Sequence, residues 1–327
     1  MSFETYGVGQ NESSGGNKVD FDELNKYVVE TAGLEQRETL VGYVSMLVDL
    51  GTQEQPDSEV VFTGTEEDER KEVAQYPATY FKDSIDPQTK KPARFKCWPN
   101  KPVQCVAIAV DFPDIILDKG SFFGESKPLP LRLWLGGQFY TEGAGMVIGR
   151  PTPLKVNKKL GDWSLDQKNI FHRMAVAAKL IQPNEVFVPQ RIGELLGKAF
   201  QFEAQVFFKK NKGKSYYTEY VKFVSGLGRG QKEPELLTTP MMVQFYKENP
   251  EDAIKELRAH VVNTIKRASN YEESVIKEQI ESLRYNPDRP QSTKGDGDKE
   301  APEKKVEESV PQDTFDNFED DTSELPF

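Results

Sequence analysis

Flat side chains and cations interleave through the middle of this 327-residue chain. Arg94, Lys96 and Trp98 alternate with Phe95 and Cys97. Arg132 and Trp134, two apart, share one face of a predicted strand. Lys155, Lys158 and Lys159 lead into Trp163. Phe207 and Lys209 share one face of a predicted hairpin strand, and Lys210, Lys212 and Lys214 follow into its turn. On the return strand Tyr217 takes one face, and Tyr216, Tyr220 and Lys222 take the other. This pairing of residue types suits single-stranded nucleic acid. Cations neutralise phosphates, and each unpaired base stacking on a ring contributes about 1–3 kcal/mol. The phosphate contacts make such binding steeply salt-dependent. A ring on the polar face of a strand is the informative kind, so Phe207 is the preferred stacker, while Phe200, Phe202 and Phe208 are assigned to the core.

The end of the chain holds a second constellation. Phe315 and Phe318 precede Asp320, Asp321, Glu324, Leu325, Pro326 and Phe327 in a segment otherwise almost free of apolar residues. The Phe327 ring can fill an apolar pocket while its terminal carboxylate meets an Arg or Lys. The acids can lie along a basic ridge, and Pro326 holds the residue before it extended. This reads as a short linear motif that binds protein partners.

Residues that could carry covalent chemistry are sparse. Two cysteines, Cys97 and Cys105, and two histidines, His172 and His260, make no zinc-site spacing and no disulfide framework. Both histidines fall on predicted helices and read as structural. Gly193–Lys198 has the wrong spacing for a phosphate loop, and the glycines of 143–149 open no helix. Asp111 and Asp114, flanking Pro113, could hold a metal in a nuclease, but the spacing is common. The expectation is a non-enzyme without cofactor or metal. The polar N-terminus reads as no secretion signal, and no apolar run is long enough for a membrane helix. A cytoplasmic location follows as the expectation.

Charge is segregated. The net charge is -11, yet residues 82–232 hold 25 basic and 13 acidic side chains, whereas residues 1–81 hold 5 and 17. Residues 286–327 hold 5 basic and 13 acidic groups. A basic middle inside an acidic wrapper fits a polyanion site with an acidic interaction tail.

These side chains need elements to position them. Asp20 caps a short helix containing Leu24, Tyr27 and Val28. Apolar residues on both faces predict buried strands over 38–50, kinked or bulged at Gly42, and over 103–112, ended by Pro113. A third strand covers 131–140 and bends at Gly136-Gly137. Ser164 with Gln167 predicts a capping box for a helix reaching Ile181, and a short helix follows over 190–199. Strict alternation over 200–210 and 216–224 predicts a hairpin. Asn249-Pro250 opens a helix reaching Ser269, and another spans 271–284. Residues 51–75 read as an acidic loop. From Asn286 onward too little can be buried to offset the entropy of ordering.

The end FEDDTSELPF resembles the acidic, aromatic-terminated tails of bacterial and phage single-stranded-DNA-binding proteins. The segment KAFQFEAQVFFKKNKGKSYYTEYVKF resembles the core of the phage members. The resemblance implies an OB-fold, a coat for exposed single strands in phage replication and recombination, and a tail that recruits replication proteins and can fold back over the DNA groove. The inserted helices and the segment 241–285 depart from that family. The resulting expectation is a mixed α+β chain. A mobile arm and short helix (1–35) precede an OB-like Greek-key barrel (36–240), a helical segment (241–285) and a disordered acidic tail (286–327). The partners are single-stranded DNA and replication proteins, and a homodimer is allowed. The alternatives are a metal-dependent nuclease and a strand-annealing or recombination mediator.

Overall fold

The computed structural model describes residues 20–124, 126–141, 143–159, 162–211 and 214–283. The chain divides into two compact units, one built of Met1–Gln55 and Lys101–Ser292, the other containing Pro56–Asn100. The helices are α1 (Phe21–Ala32), α2 (Glu66–Gln75), α3 (Ile170–Ala177), α4 (Glu251–Lys255), α5 (Ala259–Lys266) and α6 (Val275–Leu283). The first strands are β1 (Glu38–Gln53), β2 (Ser58–Val61), β3 (Tyr80–Ile85), β4 (Pro92–Trp98), β5 (Val103–Leu117) and β6 (Leu129–Trp134). Shorter ones follow: β7 (Gln138–Thr141), β8 (Gly145–Ile148), β9 (Thr152–Pro153), β10 (Val156–Lys159) and β11 (Asp162–Leu165). The long hairpin is β12 (Ala199–Asn211) with β13 (Lys214–Ser225), and β14 (Met241–Val243) comes last.

In the larger unit the main sheet runs β13-β12-β1-β5-β6, with β14 added to β1 and β9 to β5. The five strands on this path pair antiparallel, and β13 returns against β6, so the sheet curls into a nearly closed barrel. Alternation explains the interior. Val44, Ile108, Val110, Phe112, Leu131, Leu133, Phe200, Phe202, Ala204 and Val206 point inward and are buried. α1 and α3 close this core with Leu24, Val28, Phe171 and Met174. A bulge between Val44 and Met46 shifts the phase of β1, so Met46, Val48 and Leu50 face the other way. They form a second core with Ala107, Ala109, Trp134 and the helices of 241–283, including Ile254, Val261, Ile265 and Ile276. The segment 241–283 is therefore the cover of the outer face of β1, β5 and β6.

Several expectations are corrected. Pro113 does not end β5. The strand continues to Leu117 through a register shift between Phe112 and Ile116, where a missing N–H is tolerated. The kink expected at Gly42 falls instead between Val44 and Met46. Gly42 serves close approach, since a Cβ there would lie 2.7 Å from Val110 Cγ1. Gly136 does turn the chain at a φ of 93°, which separates β6 from the β7–β8 hairpin.

The capping box at Ser164 does not form. Ser164 lies in β11, opposite Asn157, and α3 starts only after Asn169, whose side chain accepts from Phe171 N at 2.9 Å. Residues Pro189–Leu195 form a 3-10 helix rather than an α-helix. The helix from Asn249 to Ser269 is two helices, α4 and α5, that part around Arg258. Arg258 donates from Nη2 to the Arg132 carbonyl at 3.1 Å. Asn249 is no cap. Its amide donates to Gln244 O and Lys247 O and accepts from Gln244 N.

The unit Pro56–Asn100 holds a three-stranded sheet, β2-β4-β3, and α2, where the sequence predicts an acidic loop over 51–75. Thr65 and Asp68 form a reciprocal capping box at the start of α2. No described helix is long and apolar enough to cross a membrane.

Candidate nucleic-acid interface

The β12–β13 hairpin has one face inside the barrel and one outside. The outward face pairs Glu203 with Lys222, Gln205 with Tyr220, Phe207 with Thr218, and Lys209 with Tyr216. Lys209 and Lys222 are exposed, and Phe207, Tyr216 and Tyr220 are half-buried. Arg37, which directly precedes β1, adds a cation: its guanidinium lies 4.6 Å from the centre of the Tyr220 ring, and its Nη1 is 3.4 Å from Glu203 Oε1. The Tyr220 hydroxyl is pushed up to about 12, by burial first and then by the Glu203 carboxylate, against the opposing pull of Arg37. At neutral pH it remains a neutral phenol. Three rings thus lie on one face of an antiparallel pair with an exposed lysine at either end, the two residue types that base stacking and phosphate neutralisation use.

Beyond the barrel the inward face of the hairpin also opens. Phe208, assigned to the core by alternation, is 39% exposed and stands edge-on to Tyr217 at 6.4 Å between centroids. The alternation is correct, but the strand outruns the core it would pack on. Tyr217 is half-buried, and its hydroxyl donates to Glu219 Oε1 at 2.7 Å. Lys210 is exposed. Lys214 pairs with Asn211 at the end of the ladder, while Lys212 lies outside the described residues.

The other candidates separate. Lys158 and Lys159 lie on β10, and Lys158 pairs with Trp163 of β11. Trp163 is 63% exposed, the most exposed of the large apolar side chains among the described residues, and Lys155, just before β10, is exposed too. In the other unit, Arg94, Lys96 and Trp98 share one face of β4, but the cations are engaged. Arg94 donates to Glu69 at 2.8 and 3.0 Å and to Asp83 at 3.1 Å, and Lys96 Nζ is 2.5 Å from Glu72.

Arg132 and Trp134 must be withdrawn from the candidate interface. Trp134 is 1% exposed and packs edge-on against His260, so neither face of its ring is open to a base. Arg132 is spent on structure. Its Nε and Nη2 grip Asp111 at 2.7 and 3.0 Å, and its Nη1 reaches Glu256 at 3.0 Å. The same-face pairing read from the sequence is real, but helices cover that face. Asp111 is fully buried and also accepts from Ser45 Oγ at 2.6 Å and Thr238 Oγ1 at 2.7 Å. Both of its oxygens are therefore engaged by protein donors. No group of three or more His, Cys, Asp or Glu that could hold a metal occurs among the described residues. Cys97 and Cys105 are buried free thiols, and burial pushes the Cys105 thiol up to about 11.

Arg37 is not legible in the sequence as part of this face, because its contact with Tyr220 spans distant parts of the chain. Tyr216 and Tyr220 were readable by alternation, and Trp163 by its lysine neighbours. The tail residues Asp320, Asp321, Glu324, Leu325, Pro326 and Phe327 lie outside the described residues. Searches against protein-family models, curated proteins and solved structures find no significant match to this chain.

Proposed function

We propose that this protein binds single-stranded DNA without strong sequence preference, using the outward face of β12–β13, and that it does so in phage DNA replication and recombination. The observation that carries the reading is the row Lys222, Tyr220, Phe207, Tyr216 and Lys209 on a hairpin face flanked by Arg37. Strand order supports an OB-fold as the scaffold. In the order 5-4-1-2-3, β13, β12, β1, β5 and β6 take the five places, α3 falls between the third and fourth, and the fifth returns against the third. In OB-folds the second and third strands and the loops 1–2 and 4–5 bind oligonucleotides. Here the outer face of β5 and β6 is filled by Trp134 and the helices of 241–283, so binding moves to β12–β13, whose turn is the 4–5 loop. The β10–β11 hairpin, with exposed Trp163 and Lys155 just before it, offers the same residue types as a separate patch. The acidic tail competes with phosphate for this face and recruits replication proteins.

The test is a salt titration of binding to single- and double-stranded oligonucleotides. Single strands bind more tightly. Replacing Lys209 and Lys222 by Ala lowers the salt slope for single strands by about 1.4, at roughly 0.7 for each phosphate that is no longer neutralised. Replacing Tyr216 and Tyr220 by Ala weakens binding while leaving the slope in place. An unchanged slope in the lysine variant removes the hairpin from the site, and equal affinity for duplex removes the reading altogether.

A further inference from the structure

The unit Pro56–Asn100 presents a second basic and aromatic face, already occupied from within the chain. On β4, Arg94, Lys96 and Trp98 point to one side, while buried Phe95 and Cys97 point to the other. Register adds Phe81 of β3 opposite Lys96, and the Lys96 ammonium lies 5.7 Å from the Tyr76 ring centre and 6.0 Å from that of Trp98. This face has the composition that single-strand binding uses. Two carboxylates one helical turn apart on α2 sit on its cations, Glu69 on Arg94 and Glu72 on Lys96.

α2 is held there by charge rather than by packing. Its first turn is four acids, none of its residues is buried, and Val73 is exposed. A groove lined by Glu69, Val73, Phe81 and Arg94 remains between helix and sheet. A helix of ten residues is marginal on its own, and its two ion pairs to the sheet are only part-buried, so salt and a competing anion still reach them. A competing polyanion can therefore replace the carboxylates without breaking an apolar core.

We propose that α2 is an internal polyanion that covers a second single-strand-binding face made by Arg94, Lys96, Phe81 and Trp98, and that single-stranded DNA displaces it. Phosphates then take the places of Glu69 and Glu72, and the rings become available to bases. The inference rests on the proposed function in naming the ligand, but it concerns a different face and a different unit.

Full-length protein and oligothymidylate provide the test. The double variant Glu69→Gln/Glu72→Gln binds about threefold to tenfold more tightly at low salt, and Arg94→Ala/Lys96→Ala binds more weakly. A control of equal charge change outside α2, Glu30→Gln/Glu272→Gln, alters acids with 63% and 78% of their side chains exposed and tightens binding less. In wild type, amide hydrogen exchange over 66–75 speeds up when oligonucleotide saturates the protein. This readout decides the matter even where a variant misfolds. If the two Glu→Gln pairs act alike, or if exchange in α2 stays constant or slows, α2 is a fixed structural helix. Binding with a silent α2 overturns this inference alone, whereas no binding at all overturns the proposed function with it.

Discussion

At the scale of single residues, burial decides which titratable groups serve the ligand and which serve the fold. His260 packs against Trp134 in the second core, and no hydrogen-bond partner reaches its Nε2 among the described residues. Burial, reinforced by Arg258, pushes its pKa down from the ordinary 6.5 to about 3. The folded state keeps this imidazole neutral while the unfolded chain takes up a proton below pH 6.5. Its contribution is thus whole above that pH and is lost as the pH falls toward about 3. His260→Phe should remove this sensitivity. Urea unfolding of wild type and variant, compared from pH 7 down to 4, should show the variant gaining on wild type as the pH falls. A constant difference across that range would mean that His260 carries its proton in the fold. Asp111 shows the same division of labour. Its partners Arg132, Ser45 and Thr238 make it a buried polar anchor, although its position after an apolar run had marked it as a candidate metal ligand.

At the scale of elements, the helices of 241–283 act as the wall of a core. α5 lays Val261 and Ile265, both fully buried, over the outer face of the main sheet. Ile265→Ala should therefore cost about 2–5 kcal/mol of unfolding free energy, the range for a large aliphatic residue removed from a packed core. The loss should appear as a lower urea midpoint with the slope preserved. A cost below about 1 kcal/mol would place α5 outside the cooperative core. The same helices explain why Trp134 cannot stack on bases. A strand has two faces, and its alternation does not show which neighbour will cover the outer one.

At the scale of the whole molecule, the proposed function sets two anionic segments, α2 and residues 313–327, in competition with a polyanionic ligand. Residues 313–327 carry Asp313, Asp316, Glu319, Asp320, Asp321 and Glu324 and no basic residue. Removing them should leave affinity for single strands unchanged or raise it, with the larger gain at low salt, where screening is least. Fluorescence anisotropy on full-length and truncated protein measures this directly. A substantial loss of affinity on truncation would mean that the tail holds the ligand rather than competing for it.

Much was legible in the amino-acid order alone. The β12–β13 hairpin and the split of Phe207 from Phe200 and Phe202 follow from period-two alternation, β1 from a run apolar on both faces and α1 from its Asp20 cap, and none of these needs knowledge of distant residues. Tertiary structure alone decided the rest. It placed Asn169 rather than Ser164 at the start of α3, because Ser164 pairs in a strand. It left Phe208 uncovered where β12 runs past the barrel, and it set Arg37 over Tyr220. It put Trp134 under the helices and the carboxylates of α2 on Arg94 and Lys96. The physical reason is common to all of these. Periodicity records how a side chain is directed from its own backbone, whereas exposure and charge neutralisation depend on which remote segment arrives to meet it.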